Sequence, residues 1–147
     1  MCGIAGLAYR RAHDFRQEAE RRVQTMIDVQ AHRGPDGEGL WSTSIGATGV
    51  TLGQKRLAIQ DLSSAGAQPM LSECGGYALN YNGELYNAVE LRRLLEHEGA
   101  VFHSRCDTEV VLRALMHWGD AAPERFNGMW ALAFVDVERR RSQPENT

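Results

Sequence analysis

The sequence contains no apolar run approaching the roughly 20 residues that a membrane-spanning helix needs. It has no basic block before its C-terminal tail, and its net charge of -3 argues against a nucleic-acid surface. The N-terminus lacks a basic segment followed by an apolar core, so we expect no secretion signal. We therefore expect neither membrane nor nucleic acid as a partner. The remaining composition, 43% hydrophobic and 24% charged over 147 residues, predicts one globular domain.

Motifs for metal and phosphate binding are also missing. The five histidines show no His-x-x-x-His spacing, and the three cysteines lack zinc-type spacing. No Gly-x-x-x-x-Gly-Lys-Ser/Thr loop occurs. We predict no metal and no ATP site in this chain. The odd set of cysteines, Cys2, Cys74 and Cys106, fits a reducing, cytoplasmic setting in which a nucleophilic thiol stays unoxidised.

Three segments repeat apolar residues at helical spacing. The first follows a capping position at Asp14 and has its apolar face at Ala19, Val23, Met26, Ile27 and Ala31. The second begins near Asn87 and stops at Gly99, and the third runs from about Thr108 to Gly119.

Short apolar or alternating stretches predict strands at residues 3–9, 39–42, 47–52, 77–81 and 129–135. Asn82–Gly83, after the fourth of these, is a strong turn signal. The continuous apolar run of the last predicts a strand covered on both faces. This order favours an α+β fold in which a mixed sheet carries its helices on one side. Residues 138–147 are charged and lack an apolar anchor, which predicts a disordered tail.

The start of the chain, Met1-Cys2-Gly3-Ile4, offers a reactive combination. Removal of the methionine would leave Cys2 with a thiol nucleophile and a free α-amine that acts as its base. On these residues alone, an ordinary residue at the start of a strand is the simpler interpretation.

Several other groups suit a thiol that attacks a carbonyl. Asn82–Gly83 offers a side-chain amide and a turned backbone N–H for the oxyanion. Arg56 suits a substrate carboxylate, and Glu84 and Asp107 suit an ammonium group. Taken singly, however, Asn-Gly turns a hairpin, and each charged residue is more often a helix cap or a surface charge. Local chemistry leaves both interpretations open.

Seven motifs, in order, resemble the class II glutamine amidotransferases. They occupy Met1–Gly6, His32–Gly37, Arg56–Ser63, Gly66–Met70, Tyr81–Asn87, Asp107–Val110 and Asn127–Met129. The resemblance extends from residue 1 to about residue 137. The second and third motifs resemble the asparagine synthetase branch in particular. Gln54 and Gln60 depart from the family pattern, which more often has histidine and an aliphatic residue there.

The resemblance implies an N-terminal-nucleophile hydrolase fold, a four-layer αββα sandwich. It implies a glutamine amidotransferase domain at residues 1–137, without its last strands and truncated before the synthetase domain. In such enzymes the cysteine attacks the side-chain amide of glutamine, ammonia leaves for asparagine biosynthesis, and water resolves the thioester. The expected partners are L-glutamine and a separate synthetase subunit or a homo-oligomer. No cofactor is expected here, because ATP and magnesium belong to the synthetase domain.

The motif match also implies the site. Cys2 would be the nucleophile, Asn82 and Gly83 the oxyanion hole, Arg56 the carboxylate ligand, and Glu84 and Asp107 the ammonium ligands. Four consecutive residues would line the same pocket: Leu57, Ala58, Ile59 and Gln60. Two residues of an earlier loop would support the N-terminal residue: Arg33 and Gly34.

Two other hypotheses stand beside a glutamine-hydrolysing enzyme. One is a catalytically inactive glutamine-binding or regulatory module, and the other is a non-functional truncated fragment that cannot complete its fold. The intact Cys2 and its ligand residues favour the enzyme over the module, whereas the chain length favours the fragment over a fully competent enzyme.

Overall fold

The computed structural model describes residues 2–10, 12–57 and 66–138. Within these ranges the strands form two antiparallel sheets of three strands each. The first sheet, in the order β1-β3-β2, comprises β1 (Gly3–Arg10), β2 (Gly37–Ile45) and β3 (Thr48–Arg56). The second, in the order β4-β5-β6, comprises β4 (Met70–Leu71), β5 (Tyr77–Leu85) and β6 (Gly128–Asp136).

Helices cover the outer faces of both sheets. The three α-helices are α1 (Ala12–Asp28), α2 (Ala88–His97) and α3 (Asp107–Trp118), and the short 3-10 helices are Ala31–Arg33 and Gly119–Arg125. Helix α1 packs on the first sheet, α3 packs on the second with α2 beside it, and β1 and β3 face β5. This confirms the αββα sandwich. The expectation of one mixed sheet with helices on one side is wrong, because each sheet has an apolar outer face to bury.

The apolar stripe of α1 explains its place on the first sheet. Ala19, Val23 and Ile27 recur every four residues and have no exposed surface. Met26 lies on the rim, 39% exposed. The helix starts at Ala12, so Asp14 lies in its first turn and does not occupy the cap. A carboxylate there still favours the helix through the macrodipole.

The second core lies between β5 and the helices α2 and α3. Leu91 and Leu95 of α2 are buried in it, as the helical spacing predicts, together with most of α3. Helix α3 ends at Gly119, whose φ of 57° lies in the left-handed region. The predicted helices α2 and α3 are therefore confirmed to within a residue or two.

The turn predicted at Asn82–Gly83 is wrong. Both residues lie inside β5, paired with Ala131 and Trp130 of β6. A Cβ atom on Gly83 would lie 2.6 Å from the carbonyl oxygen of Met129 and 2.7 Å from the Cβ of Trp130. Glycine is therefore required here by the close approach of β6, not by a turn.

The expectation that β6 is covered on both faces is also wrong. Met129 is 64% exposed and Trp130 is 38% exposed. Among the described strands β6 lies at the edge of its sheet, where side chains have a neighbour on one flank only. None of the helices in the described ranges is long and apolar enough to cross a membrane. The tail predicted at residues 138–147 lies outside the described residues apart from Glu138, so its disorder and the domain boundary stay predictions.

Candidate functional site

Cys2 lies immediately before β1 and is half-buried. Its Sγ receives a hydrogen bond from the backbone N–H of Leu57 at 3.3 Å and lies 3.8 Å from the Leu57 carbonyl oxygen. Its own carbonyl oxygen accepts a hydrogen bond from Nε of Arg33 at 3.3 Å. The residue after β3 and the first 3-10 helix thus hold the cysteine from two sides.

The loop that carries Arg33 can reach Cys2 only because Gly34 has no side chain. A Cβ atom on Gly34 would overlap the backbone carbonyl of Lys55 and lie 2.6 Å from the backbone nitrogen of Arg56. The contact brings the loop onto the end of β3. The carbonyl oxygen of Arg56 then accepts a hydrogen bond from the backbone N–H of Asp36 at 2.9 Å, which fixes the start of the loop that follows.

Two buried amides set the direction of β5 relative to the first sheet. Nδ2 of Asn80 donates to the carbonyl oxygens of Gly53 at 2.8 Å and Ala5 at 3.3 Å. Nε2 of Gln54 donates to the carbonyl oxygen of Tyr81 at 3.1 Å. Asn80 is thus bonded to Gly53 and the next residue, Tyr81, to the next residue of β3, Gln54. The two strands therefore run in the same direction where the sheets face each other. Asn82–Gly83 consequently lies toward the end of the sandwich that carries Cys2 and Arg56.

Beyond Leu79, the edge of β5 opposite β6 is bound by side chains instead of a strand. Strand β4 pairs only with Ala78 and Leu79. Farther along, the N–H of Tyr81 donates to Oε1 of Gln68 at 2.6 Å, and that of Leu85 donates to Oδ2 of Asp107 at 3.0 Å.

Because N–H groups alternate between the two edges of a strand, the N–H of Gly83 faces the same edge, midway between those of Tyr81 and Leu85. It is thus a backbone donor that points away from the β6 ladder, as an oxyanion donor must. Asn82 is half-buried, and its Oδ1 receives no hydrogen bond from the described residues. A buried amide oxygen normally accepts a hydrogen bond, so this acceptor is left open, while the Nδ2 of the same amide is the atom that could donate to an oxyanion.

Asp107 is the first residue of α3 and is 7% exposed. Besides the N–H of Leu85, its Oδ2 receives the hydroxyl of Tyr81 at 3.4 Å. Burial raises the pKa of the Asp107 carboxyl, and the N–H donors around it only partly offset that rise. Burial, together with this carboxylate, also raises the pKa of the Tyr81 hydroxyl. Glu84, the other carboxylate that the sequence singles out, is exposed beside Leu85 on β5.

The structure therefore places the sequence-derived residues in two groups at one end of the sandwich. Cys2, Arg33, Gly34, Arg56 and Leu57 meet around the end of β3. The second group lies along β5 and at the start of α3: Asn82, Gly83, Glu84 and Asp107. Ala58, Ile59 and Gln60 lie outside the described residues.

Sequence reasoning missed three buried amides that hold β5 in place. Local sequence patterns assign no role to Gln68 or Asn80, and they mark Gln54 only as a departure from the family pattern. The signal that would have found them is polar residues at positions where a strand or its neighbour is buried, since a buried amide must be hydrogen-bonded. Within the described ranges, no three His, Cys, Asp or Glu side chains come together as a metal-ligand group.

The sequence profile of the family described as "Glutamine amidotransferase domain" matches residues 1–143. Asparagine synthetase [glutamine-hydrolyzing] 3 of Bacillus subtilis is 38% identical over 144 residues, a match that covers 95% of this chain and 22% of that protein. A putative glutamine-hydrolysing asparagine synthetase of Mycobacterium tuberculosis is 40% identical over 129 residues, covering 84% and 20%. The chain thus spans about a fifth of the length of these relatives.

Among solved structures, the glutamine phosphoribosylpyrophosphate amidotransferase of B. subtilis superposes with a TM-score of 0.73 at 20% identity. The match covers 91% of this chain and 35% of that one. An allosteric regulatory enzyme of purine biosynthesis gives a TM-score of 0.71 at 19% identity. At this level of identity the likeness concerns the fold, and it agrees with the αββα sandwich described above.

Proposed function

Because this chain belongs to the glutamine amidotransferase domain family, in its class II branch alongside the asparagine synthetases, we propose that it hydrolyses glutamine to glutamate and ammonia through a thioester on Cys2. The observation that carries the proposal is the setting of Cys2. Its thiol is held by the N–H of Leu57 at the end of the sandwich toward which Asn82 and Gly83 lie.

The reaction begins when removal of Met1 frees the α-amine of Cys2. The thiol attacks the side-chain carbonyl carbon of glutamine and passes its proton to that amine, which hands it to the departing ammonia. The thiol and the α-amine belong to the same residue, so this transfer needs no second side chain as base. Water then attacks the γ-glutamyl thioester and releases glutamate. These steps need no cofactor.

The tetrahedral oxyanion would be stabilised by the side-chain amide of Asn82 and the N–H of Gly83, which faces the open edge of β5. Gly83 thus takes part through its backbone, so a side chain there would act only through crowding against β6. A strand paired along this edge of β5 would occupy the N–H of Gly83, whereas the side chains of Gln68 and Asp107 bind the neighbouring N–H groups and leave that donor for the oxyanion.

The amino-acid end of glutamine would be bound by three charged residues. The guanidinium of Arg56, at the end of β3, suits the α-carboxylate. Asp107 and Glu84 suit the α-ammonium group, with Asp107 in the drier position. The segment from Leu57 to Gln60 would line the pocket, and Arg33 and Gly34 would hold the N-terminal residue.

The released ammonia would serve asparagine synthesis. This rests on the names of the relatives, which are glutamine-hydrolysing asparagine synthetases. The acceptor reaction would then belong to the part of those relatives that this chain does not span, whether that part is joined to it or is a separate subunit.

The test is glutamate release from glutamine by the wild-type chain and by Cys2→Ala, with the intact mass of each protein to establish whether Met1 has been removed. We expect turnover in the wild type and none in Cys2→Ala. Cys74→Ala is the matched control, because Cys74 is an exposed cysteine outside the site, and it should retain the wild-type rate.

Other outcomes would change the assignment. Equal rates for wild type and Cys2→Ala would refute the thioester mechanism. Glutamine binding without turnover in a mass-verified chain that begins at Cys2 would instead identify a binding module.

A further inference from the structure

The backbone N–H and C=O of Tyr81 are held by two glutamine side chains, and this arrangement is here called the Tyr81 clamp. Oε1 of Gln68 accepts the Tyr81 N–H at 2.6 Å, and Nε2 of Gln54 donates to the Tyr81 carbonyl oxygen at 3.1 Å. Both glutamines are almost fully buried, with Gln68 8% and Gln54 1% exposed. Neither belongs to the residues assigned to glutamine or to its chemistry above.

Gln68 takes the place of a strand. The register of β4 on β5 pairs Met70 with Leu79, so a β4 extended backward by two residues would set Gln68 opposite Tyr81. The chain does not continue as a strand there, because β4 begins at Met70. The side-chain carbonyl of Gln68 supplies the acceptor that a strand backbone would have supplied.

The other end of the Gln68 amide reaches α3. Its Nε2 donates to Oγ1 of Thr108 at 3.2 Å. Thr108 is 5% exposed and follows Asp107, whose carboxylate receives the N–H of Leu85. Gln68 therefore joins the strand that carries the oxyanion donor to the helix that carries the ammonium ligand.

This arrangement decides what remains open on β5. A full strand along the edge would pair with the N–H groups of Tyr81, Gly83 and Leu85 alike. With Gln68 at one position and Asp107 at the other, the two flanking groups are bound while the one between them stays directed at the site. The strand is held rigid on both sides of Gly83 without covering it.

We propose that Gln68 is a positioning residue for the oxyanion hole. Through its hydrogen bonds to Tyr81 and Thr108 it fixes the N–H of Gly83 relative to Cys2, with Gln54 holding the carbonyl oxygen of the same residue, Tyr81. This inference rests on the proposed glutaminase function. Gln68 is not among the groups proposed to bind glutamine or to surround the thiol, and it acts through β5 and the start of α3.

The substitution Gln68→Met removes both hydrogen bonds at nearly constant side-chain length. We expect kcat for glutamine hydrolysis to fall roughly 10- to 100-fold, the scale of a misplaced catalytic group. KM should change by less than about threefold, because no residue proposed to bind glutamine is substituted and Asp107 keeps its own hydrogen bond to the N–H of Leu85. Gln68→Glu keeps an acceptor for the Tyr81 N–H and can accept the hydroxyl of Thr108, so it should restore much of kcat.

Amide hydrogen exchange provides a readout that does not depend on turnover. In Gln68→Met the Tyr81 N–H should exchange at least about tenfold faster than in the wild type, while amides of the β1–β3 ladder keep their rates. The control is Gln17→Met, the same change at an exposed position of α1, which should alter neither quantity.

Three outcomes would overturn the proposal: unchanged kcat with unchanged Tyr81 exchange, a rise in KM that matches the fall in kcat, or equal loosening of both sheets. Failure of the proposed function looks different, because the wild-type chain would then release no glutamate. In that event the Tyr81 exchange rate still decides whether the clamp exists.

Discussion

The substitution Asp107→Asn separates what the carboxylate contributes to binding from what it costs the fold. Asp107 is 7% exposed, and burial raises the pKa of its carboxyl, so the fold disfavours its charge. Asparagine has nearly the same shape and keeps an oxygen acceptor for the N–H of Leu85. The variant therefore removes the charge while it keeps the acceptor for Leu85, and it replaces one acceptor oxygen of the carboxylate with a donor.

The expected loss of affinity follows from the charge-assisted bond that we propose between Asp107 and the ammonium group of glutamine. Such a bond contributes about 1.5–3 kcal/mol, which corresponds to a fall in affinity of roughly 10- to 150-fold. The measurement is the glutamine dissociation constant by calorimetry in a Cys2→Ala background, with and without Asp107→Asn, so that turnover does not interfere. The same carboxylate-to-amide change at Asp14, which is exposed on α1, is the matched control.

The same substitution should not lower the free energy of unfolding, although it weakens glutamine binding. At pH 7 the ionised Asp107 carries the part of its burial penalty that the surrounding hydrogen-bond donors do not offset, so the free energy of unfolding of Asp107→Asn should be equal to or higher than that of the wild type. As the pH falls through the raised pKa of Asp107 in the folded protein, protonation of this carboxyl removes the cost of burying its charge, and the wild type gains stability. The difference should vanish below the ordinary carboxyl pKa of about 3.9. A variant that binds glutamine as well as its parent, or that loses more than about 1 kcal/mol at pH 7, would refute this reasoning.

Two further substitutions test the framework around the site. Gly83→Ala should lower the unfolding free energy by about 1–3 kcal/mol in urea and abolish hydrolysis, because its Cβ would lie 2.6 Å from the Met129 carbonyl; an unchanged midpoint would contradict the close approach. Glu109→Ala should cost about 2–4 kcal/mol, because the buried carboxylate accepts the N–H groups of His103 and Ser104. Exposed Glu96→Ala is its control, and equal stability of the two variants would exclude the role.

The helices were predictable because their evidence is local. In α1 the spacing of Ala19, Val23 and Ile27 marks the buried face within one helix, and Gly119 marks the end of α3 by its left-handed backbone. Helix starts were less well placed, since Asp14 lies two residues inside α1. The division into two sheets was not predictable from patterns, because it depends on which strands meet across long stretches of chain.

The motif match, and not the local chemistry alone, singles out the candidate site residues, and their roles stay predictions. Asp107 illustrates the difference. Its sequence position fits an ordinary helix start, and only the fold shows that it is buried and bound to Leu85 on another element. Gln68 was the harder case, because a glutamine before a proline is typical of a loop. Its importance comes from the register of β4 on β5, which no local pattern encodes.

Asn82–Gly83 shows why turn statistics fail at this site. The preference of Asn-Gly for turns comes from its tolerance of positive φ, a property of the isolated dipeptide. In β5 the same two residues serve other needs. Gly83 lacks the Cβ that would keep β6 away, and Asn82 brings an amide to the side that faces the first sheet. A backbone N–H that serves as a donor to a ligand needs rigidly held neighbours, and it must itself stay unpaired. Gln68 and Asp107 bind the N–H groups on either side of Gly83 and leave that of Gly83 unpaired, whereas a further strand would hold the neighbours but also pair with Gly83.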